Sequence, residues 1–229
     1  MKSVKYLLVL LLIGVFPSCT TLTESPQGVE TSVNYFKTSQ DAVSGVTAVY
    51  YLLNAGGSLV QTPYNTLFST GMDMMTDDID PGPGATNPDV RSQAQLGHNS
   101  SGLRVLQIWQ QHYSGIFKAN VAIDNIPNIS MSTSLQSRLI GEAKALRALY
   151  YFNLVRLYGG VPLVLHASLT LDVSALQVPR NTVAQVYTQI IQDLTDASAV
   201  LPNSYSGSDI GRITKGAAQS LLSKVYLTQ

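Results

Sequence analysis

Apolar residues recur at helical spacing over most of the chain. The first predicted helix lies in "SQDAVSGVTAVYYLLNAGG", with Ser39 as its N-cap and Gly56-Gly57 as its end. The second predicted helix lies in residues 101–126. The inward face of the first consists of Ala42, Val46, Val49 and Leu53, and that of the second of Val105, Ile108, Trp109, His112, Ile116, Ala119 and Ile123. Spacings of three and four residues predict amphipathic helices that bury one side.

The third predicted helix runs through "GEAKALRALYYFNLVRLYGGVPLVL", where apolar residues occupy more than one face. It begins in "STSLQ" and ends at Gly159-Gly160, and Pro162 prevents it from resuming. A helix that is apolar on several sides is expected to lie inside the fold. Its glycine and alanines allow a neighbouring helix to approach closely, and its tyrosines fill gaps while each keeps a hydroxyl for a polar partner.

Two further helices are predicted towards the end of the sequence. The fourth has Asn181 as its cap, and the fifth begins at Thr214. The inward residues of the fourth are Val183, Val186, Ile190, Leu194 and Ala197. The fifth helix reaches Gln229 without a terminating glycine or a basic last turn, so we expect the chain to be truncated there.

Residues 71–102 form a long irregular segment rich in Asp, Gly, Pro, Asn and Ser. Structureless loops longer than about 15 residues are uncommon in compact domains unless they are functional or disordered, and the composition leaves both open. Elsewhere only "GGVPLVL" has a β-like character. The fold class predicted from these patterns is all-α: antiparallel helical pairs in a tetratricopeptide-like repeat, with long irregular loops.

The N-terminus has the pattern of an export signal. Lys2 and Lys5 precede the apolar run "LLVLLLIGVF", which is too short to span a bilayer. The single cysteine, Cys19, follows directly after "FPS", as in the lipobox of bacterial lipoproteins. We expect a lipoprotein signal peptide over 1–18, lipidation at Cys19, a tether over 19–38 and a helical domain over 39–229. The alternative is an ordinary cleaved signal with an incidental cysteine.

Composition and charge narrow the class of partner. The chain has 14 basic and 14 acidic residues, and removal of residues 1–18 leaves 12 basic against 14 acidic residues, a formal charge of −2. This balance favours neither nucleic acid nor an anionic lipid surface as a partner. Only 12% of the residues are charged, against about 25% in typical soluble proteins. The chain therefore has large apolar faces to bury.

Three stretches together carry a family resemblance. "GEAKALRALYYFNLVRLYGGVPLVL" resembles the signature of the SusD/RagB family of outer-membrane lipoproteins from Bacteroidota. "IWQQHYSGIFKANVAIDNI" resembles the helix that precedes this signature, and "GRITKGAAQSLLSKVYLTQ" resembles the repeat helix that follows it. The resemblance implies the N-terminal portion of a longer protein in the outer membrane. Such proteins sit on a SusC-like TonB-dependent transporter and bind an oligosaccharide, or sometimes a peptide, for import.

Candidate ligand contacts lie in the irregular segment. Glycan sites combine aromatic faces with carboxylates, amides and arginines that bond the sugar hydroxyls. The polar residues proposed from the sequence are Asp77, Asp78, Arg91, His98 and Asn99. A solvated or partner-facing loop is the alternative for each of them, and Trp109 and the signature tyrosines are interpreted as core. The tryptophan of the family's starch-binding member has no evident counterpart here, which puts starch in doubt as the ligand.

Catalysis is not predicted. Asp73, Asp77, Asp78 and Asp80 offer acid pairs of the kind that glycosidases use, but such pairs are common in loops. No nucleophile, zinc or phosphate-binding motif accompanies them, and the three histidines lack a metal-ligand spacing. We therefore predict a binding protein without cofactor or metal. The remaining alternative is a structural helical-repeat protein that joins other envelope proteins without a small ligand.

Overall fold

The computed structural model describes residues 35–54, 62–168 and 177–229. The predicted signal peptide, Cys19, most of the tether and Gly56-Gly57 lie outside the described residues. The described ranges contain seven α-helices and no strand, which confirms the predicted all-α, tetratricopeptide-like fold class. The helices are α1 (Ser39–Tyr50), α2 (Phe68–Gly71), α3 (Pro88–Ala94), α4 (Leu103–Asn125), α5 (Thr133–Tyr158), α6 (Val183–Val200) and α7 (Lys215–Thr228). Single turns of other helix types span Tyr51–Leu53, Pro63–Leu67, Asp73–Met75, Ile126–Asn128 and Gly207–Asp209.

Helix α5 lies at the centre, between α4 and α6, while α1 packs on α4 and α5 and α7 packs on α6. Side-chain contacts show that α4 and α5 are antiparallel. The hydroxyl of Tyr158, at the end of α5, donates to the carbonyl of Val105 near the start of α4. Gln136, near the start of α5, donates to the carbonyl of Ile126 just after α4. The antiparallel helical pairing predicted from the sequence is therefore correct here.

The interior of α5 is buried on several sides, as predicted. The hydroxyl of Tyr150 donates to the carbonyl of Val49 at 2.6 Å, and that of Tyr151 donates to the carbonyl of Val164 at 2.9 Å. Both rings are fully buried. A Cβ atom on Gly141 would lie 2.5 Å from a methyl of Val200, which shows how closely α5 and α6 approach. The core role predicted for the signature tyrosines is confirmed for Tyr150 and Tyr151, whereas Tyr158, at the end of the helix, is only partly buried.

Two predicted helix caps are wrong by one residue. Thr38, not Ser39, caps α1, because its hydroxyl and the carboxylate of Asp41 form a reciprocal capping box. Thr182, not Asn181, caps α6 through the same arrangement with Gln185. The predicted cap at Thr214 and the predicted end of α5 at Gly159 are confirmed.

Several predicted inward residues lie elsewhere. Leu53 is only partly buried and Leu52 is fully buried instead, because the chain leaves the α-helix for a tighter turn at Tyr51. Val183 is 44% exposed in the first turn of α6. Trp109 is partly buried, with its ring 5.1 Å from that of Tyr158. Val105 and Ile123 are also partly buried.

The segment over 71–102 is less irregular than its composition suggested. It contains α3, which begins at Pro88 and is capped by the side chain of Asn87. It also contains the turn Asp73–Met75, in which the backbone carbonyl of Asp73 accepts from Thr76. Proline at the first helical position and asparagine before it are ordinary signals for a helix start, but a seven-residue helix offers little periodicity. The two elements contact each other, and each contributes a residue to a cavity that the end of α5 also lines.

Candidate ligand-binding site

A cavity of about 360 Å³ lies between the irregular segment, the start of α4 and the end of α5. Its lining residues are Gly71, Met72, Met75, Gln93, His98, Asn99, Ser100, Val105, Ile108, Leu157 and Tyr158. We call this the main cavity. Its volume falls within the range of about 300–1,000 Å³ that small-molecule sites have. Apolar side chains and a few polar groups share its wall, which is the usual composition of a small-molecule site.

Tyr158 forms a fixed part of the wall of the main cavity. Its hydroxyl donates to the carbonyl of Val105 at 2.7 Å, and its ring meets that of Trp109 edge to face. Burial raises the pKa of Tyr158 to about 12, so the hydroxyl stays protonated at neutral pH. The ring is thereby locked in one orientation, and a locked aromatic wall costs little ordering entropy when a ligand binds.

His98 and Asn99 reach the main cavity from a turn just before α4. The side-chain oxygen of Asn99 accepts from the backbone N–H of Ser101 at 2.9 Å, and its backbone oxygen accepts from Gly102 at 3.0 Å. These bonds fix the turn. The amide nitrogen of Asn99 and the ring of His98 form no hydrogen bond with a described residue, so both remain available to a ligand.

Gln93 brings a buried amide to the same cavity. It is 4% exposed, and its side-chain oxygen has no hydrogen-bond partner in the described part of the chain. A buried amide oxygen without a donor costs free energy, typically about 1–3 kcal/mol. Helix α3 positions it, and α3 was not foreseen from the sequence. Gln93 is therefore a candidate site residue that the sequence did not reveal, and Tyr158 is one that was interpreted from the sequence as core.

The other predicted site residues lie outside the main cavity. Arg91 lines a separate cavity of about 250 Å³ with Asp80. Its guanidinium folds back onto the loop, donating to the carbonyls of Ala85 at 2.5 Å and Pro83 at 3.3 Å. Asp77 and Asp78 are exposed and line neither cavity. Of the five predicted residues, the structure therefore brings His98 and Asn99 together.

Below the main cavity, His112 supports the end of α5 from inside the core. It is fully buried, and burial lowers its pKa to about 4, so the ring is neutral at physiological pH. One ring nitrogen donates to the carbonyl of Ile108 at 2.7 Å, and the other lies 3.2 Å from the side-chain nitrogen of Asn153. His112 is thus a structural residue.

Two further kinds of feature are absent from the described ranges. No cluster of three or more His, Cys, Asp or Glu residues in them is arranged to hold a metal ion. None of the helices found there combines the length and the hydropathy that crossing a membrane requires.

Comparison with known proteins gives consistent matches. A family profile described as "Starch-binding associating with outer membrane" matches residues 60–227. "SusD-like protein P38" of Formosa agariphila is 32% identical over 194 residues, which is 83% of this chain and 36% of that protein. "SusD-like protein P2" of the same organism is 28% identical and is matched over 44% of its length. The chain thus spans less than half the length of these relatives.

Solved structures agree with the sequence matches. A structure titled "Laminarin binding SusD-like protein" has a TM-score of 0.71 at 34% identity, covering 83% of this chain and 40% of that one. A SusD homolog from Bacteroides thetaiotaomicron has a TM-score of 0.69 at 29% identity, covering 86% of this chain and 37% of that one. The family profile matches well over half of the chain, and the helical fold agrees with it. This chain belongs to the SusD-like family.

Proposed function

We propose that the protein captures oligosaccharides at the cell surface and passes them to a SusC-like TonB-dependent transporter. The observation that carries the proposal is the main cavity, which is lined both by His98 and Asn99, with their unpaired polar groups, and by the fixed ring of Tyr158. The laminarin-binding relative supports a glycan as the ligand class. The protein acts by binding, without catalysis.

The main cavity offers a specific chemistry to a sugar. The ring of Tyr158 and the thioethers of Met72 and Met75 provide apolar surface for the C–H face of a pyranose. The amide of Asn99 donates to a sugar hydroxyl, and His98 donates or accepts according to its tautomer. Arg91, Asp77 and Asp78 are proposed to contact the parts of a longer glycan that extend beyond this cavity.

The membrane attachment is part of the same proposal. Lipidation at Cys19 would anchor the protein in the outer membrane, facing the cell exterior, where a transporter partner is within reach. Several acyl chains together hold a protein stably at a membrane, whereas one chain gives only marginal binding.

Calorimetry with the full-length protein tests glycan binding against a panel of laminarin, starch, xylan and galactomannan. Asn99→Asp keeps the side-chain oxygen that bonds Ser101 but replaces the free amide nitrogen with an anionic oxygen. We expect this variant to bind at least about tenfold more weakly, the effect of losing one useful hydrogen bond to a ligand. Asn203→Asp makes the same change at an exposed asparagine outside the cavity and should bind normally.

Failure of the wild-type protein to bind any glycan of the panel would refute the proposal. Co-purification of a stable envelope complex in that case would favour the structural role. Equal weakening by Asn99→Asp and Asn203→Asp would instead show that the main cavity is not the site.

A further inference from the structure

A second cleft adjoins the main cavity. Its volume is about 290 Å³, and Met72 and Leu157 line both spaces. The remaining lining residues are Phe68, Asp73, Asn153 and Arg156. We call this the Arg156 cleft. None of these four residues has a role in the function proposed above, and two of them come from the last turns of the signature helix α5.

Arg156 is held in place by neutral groups. Its Nε donates to the carbonyl of Phe152 at 3.3 Å, its Nη2 donates to the side-chain oxygen of Asn153 at 2.8 Å, and its guanidinium lies 4.3 Å from the centre of the Phe152 ring. It forms no ion pair with any described residue. A guanidinium has five N–H groups, so most of them remain free for a ligand while the side chain stays oriented.

Asp73 stands in the same cleft with a free carboxylate. Its backbone carbonyl accepts from the backbone N–H and the hydroxyl of Thr76, which fixes the turn. The carboxylate itself makes no hydrogen bond or ion pair with a residue that the structure describes. Asp73 and Arg156 therefore line one small space without pairing with each other. An oriented donor and a free acceptor in one cleft suit a ligand that can both accept and donate hydrogen bonds, as neighbouring sugar hydroxyls do.

The floor of the cleft is rigid and partly aromatic. Asn153 is 3% exposed, and its amide nitrogen lies 3.1 Å from the hydroxyl of Tyr64 and 3.2 Å from the ring of His112. The ring of Phe68 packs 5.1 Å from that of Tyr64 and 5.7 Å from that of His112. Phe68 is only partly buried, so it adds apolar surface to the cleft beside Asp73 and Arg156.

From these observations we infer that the Arg156 cleft is a second sugar subsite, and that the ligand is a neutral oligosaccharide that occupies the cleft and the main cavity together. The inference rests on the function proposed above. The cleft carries one positive and one negative side chain, so its formal charge is zero and an anionic sugar gains no net attraction there. Each space is close to the lower limit of about 300 Å³ for small-molecule sites, so a ligand that fills both is longer than one sugar.

Binding measured against ligand length tests the second subsite. The probes are laminari-, malto- and xylo-oligosaccharides from disaccharide to hexasaccharide, titrated into the full-length protein by calorimetry. We expect wild-type affinity to rise with length. In Asp73→Asn the longer probes should bind about tenfold more weakly while the disaccharide is unaffected, because only a longer chain reaches the cleft. Arg156→Gln should behave in the same way.

The variants differ in their risk to folding. Asp73→Asn removes no contact that the structure shows within the protein, so it keeps the fold, whereas Arg156→Gln loses the guanidinium contacts with Phe152 and Asn153 and needs a melting-temperature check. Asp89→Asn removes the same charge from α3, outside both spaces, and should match the wild type at every length.

The outcomes separate the two proposals. If Asp73→Asn matches the wild type at every length while Asn99→Asp binds weakly, the second subsite is wrong and the main cavity stands. Equal weakening by Asp73→Asn at all lengths also overturns the second subsite. Oligoguluronates bound as tightly as neutral probes of equal length overturn the neutral class. Wild-type protein that binds none of the neutral probes and no other glycan overturns both proposals.

Discussion

Arg147 of α5 and Asp193 of α6 form a buried ion pair. Their side chains are 5% and 1% exposed, and two nitrogens of Arg147 each donate to a carboxylate oxygen at 2.8 Å. The third nitrogen donates to the side-chain oxygen of Asn120 at 2.8 Å and to the carbonyl of Leu165 at 3.0 Å. One guanidinium thus connects α4, α5, α6 and the extended chain that follows α5.

Asp193→Asn would leave the guanidinium of Arg147 buried without its counter-charge. Removal of one partner from a buried pair costs about 3–5 kcal/mol, since the remaining charge keeps its desolvation penalty. Asp196, one turn further along α6, pairs with Lys144 on α5 at 2.6 Å. The side chains of that second pair are 25% (Lys144) and 36% (Asp196) exposed, so it contributes only about 0.2–1 kcal/mol. Asp196→Asn is therefore a matched control.

Urea unfolding of the full-length protein, followed by circular dichroism, measures both variants against the wild type. We expect the free energy of unfolding to fall by at least about 2 kcal/mol more in Asp193→Asn than in Asp196→Asn, because burial separates the two pairs. Equal losses in the two variants, or a loss below about 1 kcal/mol in Asp193→Asn, would refute this account of α5.

Three other predictions concern single positions. Gly141→Ala should lower the free energy of unfolding by about 1–3 kcal/mol, because the new Cβ would lie 2.5 Å from a methyl of α6, whereas a Cβ on Gly216 would meet only the hydroxyl of Thr214, at an ordinary contact distance of 3.9 Å, so Gly216→Ala should not destabilise. Hydrogen bonds from the backbone N–H groups of Thr38 and Lys37 stabilise the charged carboxylate of Asp41 and lower its pKa below its ordinary 3.8. That stabilisation is complete above pH 3.8 and is lost as the pH falls through the lower folded-state pKa, so the melting-temperature difference between wild type and Asp41→Asn should shrink in acid. Cys19→Ser should abolish acyl labelling and release the protein from membranes, and unchanged labelling would contradict the lipid assignment.

The long helices could be predicted because their residues repeat at helical spacing over many turns. Their starts could not be fixed to one residue, since Thr38 and Ser39 are both good caps and only the reciprocal bond with Asp41 decides between them. Helix α3 escaped prediction because its seven residues are too few to show a period. Sequence pattern therefore predicts the long helices. Their exact boundaries depend on local hydrogen bonds, which the pattern does not reveal.

The candidate site was predicted only in part. His98 and Asn99 were found because a polar loop beside a helical scaffold is a common place for ligand contacts. Arg156 was missed because it lies in a helix that is apolar on several sides and mostly buried, as expected of a core helix. Whether a residue near a helix end is covered depends on how far the neighbouring helices extend, and that is a property of tertiary packing which a single sequence does not display.

Helix α5 has two different environments along its length: its interior belongs to the core, and its last turn forms part of the candidate site. Its interior is buried by α1, α4 and α6, while Arg156, Leu157 and Tyr158 in its last turn line the main cavity or the Arg156 cleft. A wall held by a buried helix loses little entropy when a ligand binds. The opposite wall, over 71–100, is mostly exposed, so its side chains can be exchanged without removing core contacts. In the proposed site the helix therefore supplies a fixed wall, and exposed positions of the segment are those at which substitutions would alter glycan preference at little cost in stability.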